Sequence, residues 1–189
     1  KLSVQMAARK LHYDFFDKLR DEYLFDAVLT AHHADDNLET FFINLSRGSG
    51  LDGLVGIPNK NKYVIRPLLF FTRAQILEYA SENKLKWRED SSNASLCYQR
   101  NHLRHELMPA LKTIYPSIIN ALQSTQNYLK SSQDLLNNHI KAVSDEVIEY
   151  SNTSEKHYSV SALKNLNPLR SYIFPLFRCY GFTDFDELY

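Results

Sequence analysis

The sequence is poor in the residues that mark several protein classes. Its two cysteines, Cys97 and Cys179, lie far apart without paired spacing, which excludes a Cys-based zinc or iron–sulfur motif and a disulfide framework. No apolar run approaches the roughly 18 residues of a transmembrane helix, and the start "KLSVQMAARK" is a helical pattern rather than a secretory signal. These absences predict a protein of the reducing cytoplasm.

The chain also lacks a net charge, but its charge is unevenly distributed. Between Lys60 and His105, nine Lys or Arg residues stand against four Asp or Glu residues, a local balance of +5. This segment also contains Trp87 and Tyr98, so it could follow a phosphate backbone and stack on unpaired bases. A solvated surface of mixed charge explains the same composition, and both interpretations stay open.

The stretch "TAHHADDNLET", from Thr30 to Thr40, concentrates polar side chains after an apolar run. The run "FDAVLTA", Phe25 to Ala31, predicts a short buried strand. Apolar residues then recur at the steps of an amphipathic helix: Leu38, Phe41, Phe42 and Leu45. Asp36 and Glu39 share one face of its first turn, beside the end of a strand where open α/β sheets bind ligands.

This cluster has three interpretations. The carboxylates could form an acid/base pair, or they could bind a divalent ion together with His32 or His33. They could also be ordinary first-turn acidic residues, which suit the positive end of the helix dipole.

Four of the five glycines fall in "SRGSGLDGLVGIP", which follows this helix. Arg47 near the start of this segment could bind a phosphate, and glycine permits close approach of a ligand. A helix end followed by a turn would explain the glycines equally well. The next segment, "KYVIRPLLF", predicts a strand ended by Pro67, and Thr72 caps a helix running towards Asn83.

The later part of the chain is predicted to be mostly helical. In "YQRNHLRHELMPAL", Arg100 and Arg104 lie four apart beside Asn101, so they either grip one anionic ligand or form an exposed basic stripe. A long helix is predicted from Pro116 to about Tyr150. A short "KHYSVSAL" strand and turn follows, and then helical segments from Pro168 to Tyr180 and from Thr183.

Three segments, in order along the chain, resemble one family. They are "AHHADDNLETFFINLSRGSGLDGLVGIP", "IRPLLFFTRAQILEYASENKLKWREDSSNAS" and "YQRNHLRHELMPAL". They are similar to parts of the tRNA(Ile)-lysidine synthetases, members of the N-type ATP pyrophosphatase or PP-loop group. The resemblance implies an α/β fold: the later part of a parallel-sheet, adenine nucleotide alpha hydrolase-like domain over residues 1–115, followed by a smaller, mostly α-helical tRNA-binding domain over residues 116–189.

The resemblance implies an enzyme that adenylates the wobble cytidine of tRNA(Ile) with ATP and then joins free lysine to it, releasing AMP. Asp36 and Glu39 would hold the lysine ε-ammonium, whose pKa is normally about 10.4, and help remove its proton; they could also bind Mg²⁺. The implied partners are tRNA(Ile) and lysine, with no membrane, and a homodimer stays open. The nucleotide and substrate pocket would include His32, His33, Asp35, Arg47, Gly48, Arg66, Arg100, Asn101 and Arg104.

One part of the family's pattern is missing from these residues. The Ser-Gly-Gly-x-Asp-Ser loop that cradles pyrophosphate does not occur in the sequence, and it would lie upstream of residue 1. We therefore expect the chain to be the later part of a catalytic domain with its following domain, and to be inactive alone. The cysteine pair of the related tRNA-cytidine thiolases is also missing.

Two functions of other classes are kept as alternatives. A metal-dependent phosphohydrolase would use the His/Asp cluster, although the sequence has no second cluster of this kind. A non-catalytic tRNA-binding module would act through the basic segment and the helical tail, with steep salt dependence and no turnover.

Overall fold

The computed structural model describes residues 4–88, 99–152 and 155–181. The chain forms two compact units, residues 1–129 and 130–189. Ile119 and Leu122 pack into the core of the first unit.

The first unit combines helices with a small sheet. Its helices are α1 (Val4–Tyr23), α2 (Ala34–Ser46), α3 (Leu51–Leu54), α4 (Arg73–Glu82), α5 (Gln99–His102) and α6 (Met108–Ile114), and α7 (Ile118–Val147) begins there. Its strands are β1 (Val28–Leu29), β2 (Lys60–Asn61) and β3 (Val64–Ile65). A 3₁₀ turn covers Pro67–Phe70, and a π-helical turn over Leu103–Leu107 joins α5 to α6.

The sheet has the order β1-β3-β2. β1 and β3 are parallel, with Val28 opposite Val64, while β2 is antiparallel to β3. A strand was predicted from Phe25 to Ala31, but only Val28 and Leu29 form one. The prediction that this strand is buried was wrong, because Leu29 is 68% exposed. Among the described residues β1 pairs on one side only, which leaves its other edge without a covering strand.

Local sequence signals set the ends of two helices. At the start of α4, Thr72 Oγ1 accepts from the Gln75 N–H (3.2 Å) and Gln75 Oε1 accepts from the Thr72 N–H (2.8 Å), a capping box that confirms the predicted start. α2 ends at Ser46, and Gly48 just beyond its C-cap has a φ of +68°. The N–H groups of Gly48 and Ser49 donate to the carbonyls of Leu45 and Asn44, which is a Schellman motif. Gly48 thus ends a helix.

One apolar cluster holds the first unit together at the candidate site. It contains residues of α2, α6 and α7, namely Ala34, Leu38, Met108, Ile119 and Leu122. α2 therefore buries its apolar face against α6 and α7, and this contact sets the distance between the polar start of α2 and the helices opposite.

The second unit pairs a hairpin with helices. It contains the end of α7, β4 (Ile148–Ser151), β5 (Lys156–Tyr158), α8 (Val160–Lys164) and α9 (Leu169–Phe177), with a final 3₁₀ turn at Arg178–Tyr180. α7 was predicted to reach about Tyr150 but ends at Val147, because the next four residues pair antiparallel with β5. The predicted helix from Thr183 lies outside the described residues. In the described part of the chain no helix has the length and apolarity needed to cross a membrane.

Candidate active site

The histidine pair lies at the junction between β1 and α2. His33 is the N-cap of α2: its Nδ1 accepts from the Asp36 N–H (3.3 Å), and Asp36 Oδ2 accepts from the His33 N–H (3.1 Å). His32 Nδ1 shares a hydrogen bond of 3.0 Å with Thr30 Oγ1. Both imidazoles therefore also have local structural roles.

Two carboxylates of α2 and two arginines form one charged cluster. Glu39 is only 1% exposed, and its two oxygens accept from Arg100 Nε and Arg104 Nε, each at 2.7 Å. The Nη2 groups of the same arginines donate to Asp36 Oδ1 at 3.0 and 3.1 Å. The predicted proximity of Asp36 and Glu39 is thus observed, and each acid is matched by a guanidinium group.

The four-residue spacing of the arginines places them on one side of the helical segment that starts at Gln99. The predicted grip on an anion occurs, but the anion is the protein's own carboxylate pair. The exposed-stripe interpretation fails, because the side chains of Arg100 and Arg104 are only 35% and 22% exposed. The hydrogen bond to Glu39 also raises the pKa of Arg104, which keeps it charged.

This cluster does not fit a Mg²⁺ ion held by Asp36 and Glu39. Each of the four carboxylate oxygens already accepts a hydrogen bond from an arginine or from the His33 backbone. Within residues 4–88, 99–152 and 155–181 there is also no group of three or more His, Cys, Asp or Glu side chains that could hold a metal.

Asp35, which was predicted to line the ligand pocket, also connects three helices. Its Oδ2 accepts from the Arg73 N–H at the start of α4 (2.7 Å), and its Oδ1 accepts from Lys112 Nζ on α6. Burial by itself raises the pKa of Asp35, but the hydrogen bonds from Lys112 and Arg73 outweigh it, so the pKa lies below its usual value. Asp35 is therefore part of the frame of the site.

We expect the Asp35–Lys112 pair to make stability depend on pH. A folded-state pKa below the unfolded value of about 3.9 contributes stability that is complete above that value and is lost as the pH falls through the folded pKa. Lys112→Met should raise the folded-state pKa of Asp35, so that the unfolding free energy is lower at pH 7 and falls less between pH 7 and pH 3 than in the wild type. Urea titrations from pH 7 to pH 3 measure this. The exposed-lysine control Lys86→Met should follow the wild-type profile, and a Lys112→Met profile that matches it would contradict the assignment.

A cavity of about 380 Å³ opens beside the charged cluster. Its polar lining comes from His33, Asp35, Glu39, Arg73, Arg104 and Lys112, and its apolar wall from Ala74, Leu77, Met108 and Pro109. The cavity thus places a buried carboxylate, an apolar wall and additional cations together.

Arg73 and Lys112 line the cavity but were not predicted as site residues. A signal for Lys112 was present, because Arg100, Arg104, Met108 and Lys112 follow each other at steps of four along one helical segment. Arg73 carried no such signal, since only the fold brings the start of α4 beside α2.

Some predicted site residues lie away from the cavity. Arg47 and Gly48 lie at the opposite end of α2. Arg47 comes eleven positions after Asp36, which is roughly 16 Å along the helix axis. Arg66 is buried at the end of β3, where its Nη1 donates to the Pro58 carbonyl (2.8 Å). Asn101, which lies between the two arginines in the sequence, is also buried. His33, Asp35, Asp36, Glu39, Arg100 and Arg104 are the predicted residues that the structure brings together.

Comparisons with known proteins identify the family of the chain. Residues 1–111 match the PP-loop domain family. The chain is 46% identical over 130 residues to a tRNA(Ile)-lysidine synthase of Porphyromonas gingivalis, covering 68% of this chain and 29% of that protein. It is 34% identical over 182 residues to that of Parabacteroides distasonis, covering 96% and 41%. A third relative, from Chlorobaculum tepidum, is 37% identical over 141 residues, covering 74% and 43%.

The chain thus spans less than half the length of these curated relatives. The matched family region includes β1, β3, α2 and the arginine-bearing helix. The parallel pairing of β1 with β3 agrees with the adenine nucleotide alpha hydrolase-like fold that a PP-loop domain implies, and ATP is the substrate that this family uses. The chain belongs to the PP-loop family.

Proposed function

We propose that the complete protein containing this chain ligates lysine to the wobble cytidine of tRNA(Ile), using ATP to adenylate the base first. The observation that carries the proposal is the cavity in which the Glu39 carboxylate meets an apolar wall and further cations. The similarity to proteins named tRNA(Ile)-lysidine synthase supports it.

In this proposal, each group of a lysine molecule would meet a complementary part of the cavity. Its four methylenes would lie along Leu77 and Met108, and its ε-ammonium would meet Glu39. Its α-carboxylate would lie towards Arg73 and Lys112, since charge-assisted hydrogen bonds to a carboxylate are strong. Of the two proposed catalytic carboxylates, Glu39 lines the cavity directly, while Asp36 braces Arg100 and Arg104.

The proposed reaction needs the lysine amine in its neutral form. Glu39 accepts a proton from the ε-ammonium as the nitrogen attacks the adenylated carbon of the cytidine. A C–N bond forms, the C–O bond to AMP breaks, and AMP leaves with the bonding electron pair. Asp36 accepts hydrogen bonds from Arg100 and Arg104, and these two arginines in turn orient the Glu39 carboxylate.

We assign the ATP and adenylate side of the pocket to the predicted residues around the arginines. These are His32, His33, Arg100, Asn101 and Arg104, with Arg47, Gly48 and Arg66 as more distant candidates. Arg100 is the more exposed arginine and would exchange a carboxylate contact for a phosphate. Mg²⁺ stays an expectation at the ATP phosphates, without direct ligation by Asp36 and Glu39.

The test uses the complete protein with a tRNA(Ile) transcript, labelled lysine and ATP. We expect lysine to be retained on the RNA only when ATP is present, with one AMP released for each lysine retained. RNA binding without lysine retention would contradict ligation and favour the non-catalytic tRNA-binding module, whose affinity should fall steeply with salt.

A second prediction concerns the α-carboxylate. The compound 1,5-diaminopentane has the amine and the methylenes of lysine but lacks its carboxylate, so we expect the wild-type protein to prefer lysine by about 10- to 100-fold in kcat/KM. This range corresponds to roughly 1.5 to 3 kcal/mol for hydrogen bonds to a charged group. Arg73→Met should remove much of that preference by slowing only the reaction of lysine. Lys86→Met serves as the exposed-cation control, and equal losses for both amines would contradict the assignment.

Three further expectations belong to the same proposal. Residues 116–189 would contribute to tRNA binding, and the basic segment from Lys60 to His105 would follow the RNA backbone, although Arg100 and Arg104 already face carboxylates. The protein would act in the cytoplasm.

A further inference from the structure

A pair of buried amides lies on the side of α2 away from the charged cluster. Asn37 is 8% exposed and Gln126 of α7 is 6% exposed. Asn37 Nδ2 donates to Gln126 Oε1 (2.7 Å), and Asn37 Oδ1 accepts from the Ile57 N–H (2.8 Å). Asn37 therefore joins α2 both to the glycine-rich segment and to α7.

The glycine-rich segment is shaped to admit this pair. Gly56 has a φ of +84°, and a Cβ there would lie 2.5 Å from Asn37 Oδ1 and closer still to Gln126 Nε2. Two turns further along α2, Asn44 Nδ2 donates to the Gly53 carbonyl (2.7 Å). The groups that approach the backbone closely at these glycines are thus amide side chains of the protein itself.

The amides and Glu39 lie on different sides of the same helix. At 3.6 residues per turn, Asn37 and Asn44 share one side of α2, and Glu39 lies about 160° around the axis from Asn37. The hydrophobic effect that packs Leu38 with Ile119 and Leu122 is non-directional. Hydrogen bonds are directional, so the rotation of α2 is fixed by the bonds of Asp36 and Glu39 on one side and by those of the amides on the other.

We propose that Asn37 and Gln126 are positioning residues, a clamp that sets the rotation of α2 and thereby the direction of the Glu39 carboxylate. The clamp's effect on lysine transfer rests on the proposed function. A rotation of about 10° would move a group about 6 Å from the helix axis by about 1 Å. A misplacement of this size can slow a reaction about 100-fold.

The experiment exchanges the two side-chain lengths in the complete protein. Asn37→Gln makes the pair too long and Gln126→Asn makes it too short, whereas the double exchange restores the summed length. We expect each single variant to slow lysine transfer by about 10- to 100-fold, with adenylate formation changed less than about threefold. The double variant should recover most of the lost rate. The exposed α7 variant Asn120→Gln is the matched control and should behave as the wild type.

The ratio of the two steps separates positioning from general structural damage. Loss of folded protein would slow adenylation and lysine transfer equally, and equal losses in the single variants would overturn the proposal. A double variant no better than either single variant would overturn it too. If the wild-type protein itself transfers no lysine, the proposed function fails; if only the variant pattern fails, the clamp alone is wrong.

Discussion

Replacing Glu39 by glutamine is expected to slow lysine transfer by about 1000-fold in the complete protein, within the range of roughly 100 to 10,000 for a general base. Glutamine keeps the shape of the side chain, but its neutral amide attracts the ε-ammonium more weakly than a carboxylate does and cannot accept its proton. Adenylate formation should continue at a higher relative rate, because the proposed chemistry uses the Glu39 carboxylate only in the second step.

The measurement follows AMP release and lysine retention separately in rapid-quench experiments. Glu78→Gln is the matched control, because Glu78 is exposed on α4. Asp36→Asn should also reduce lysine transfer more than adenylation. Equal loss of both steps in either variant would move that carboxylate from the amine to the ATP side of the reaction.

Replacing Arg104 by methionine is expected to lower the free energy of unfolding by about 3 kcal/mol. Glu39 is almost fully buried and would keep Arg100 as its one remaining cation, while losing the bonds to Arg104 Nε (2.7 Å) and Nη2 (3.0 Å). Removing one partner of a buried pair costs far more than removing an exposed charge, because the other charge stays away from water.

Chemical denaturation at neutral pH measures this effect. Lys18→Met, an exposed lysine of α1, should change the unfolding free energy by less than about 0.5 kcal/mol. The double variant Arg104→Met with Glu39→Met should be more stable than Arg104→Met alone, because it removes the poorly compensated carboxylate. If Arg104→Met changed the unfolding free energy as little as Lys18→Met, Arg104 would not be essential to the buried cluster.

Several local features of the fold were predictable because they depend on neighbouring residues. The start of α4 follows from Thr72 and Gln75, which satisfy the first free N–H groups of a helix within four residues. The shared face of Arg100 and Arg104 follows from helix periodicity in the same way. The strand around Val28 was placed correctly, but its length and burial depend on which strands lie beside it.

The candidate site was only partly predictable for a similar reason. Arg73, Leu77 and Lys112 reach the cavity because α4 and α6 pack beside α2, and no short-range pattern encodes that packing. The glycine-rich segment that contains Gly56 was predicted to allow close approach of a ligand. The space beside Gly56 is instead occupied by the side chains of Asn37 and of Gln126, which lies 70 residues later in the sequence.

The main helices, the capped start of α4 and the types of charge in the site follow from the sequence alone, because these depend on periodicity and on contacts within a few residues. Tertiary structure alone decided that the arginines face Glu39 and Asp36, that Asp35 braces three helices, and which side chains surround the cavity. Buried charges and amides must find partners wherever the chain brings them, and those partners lie tens of residues away.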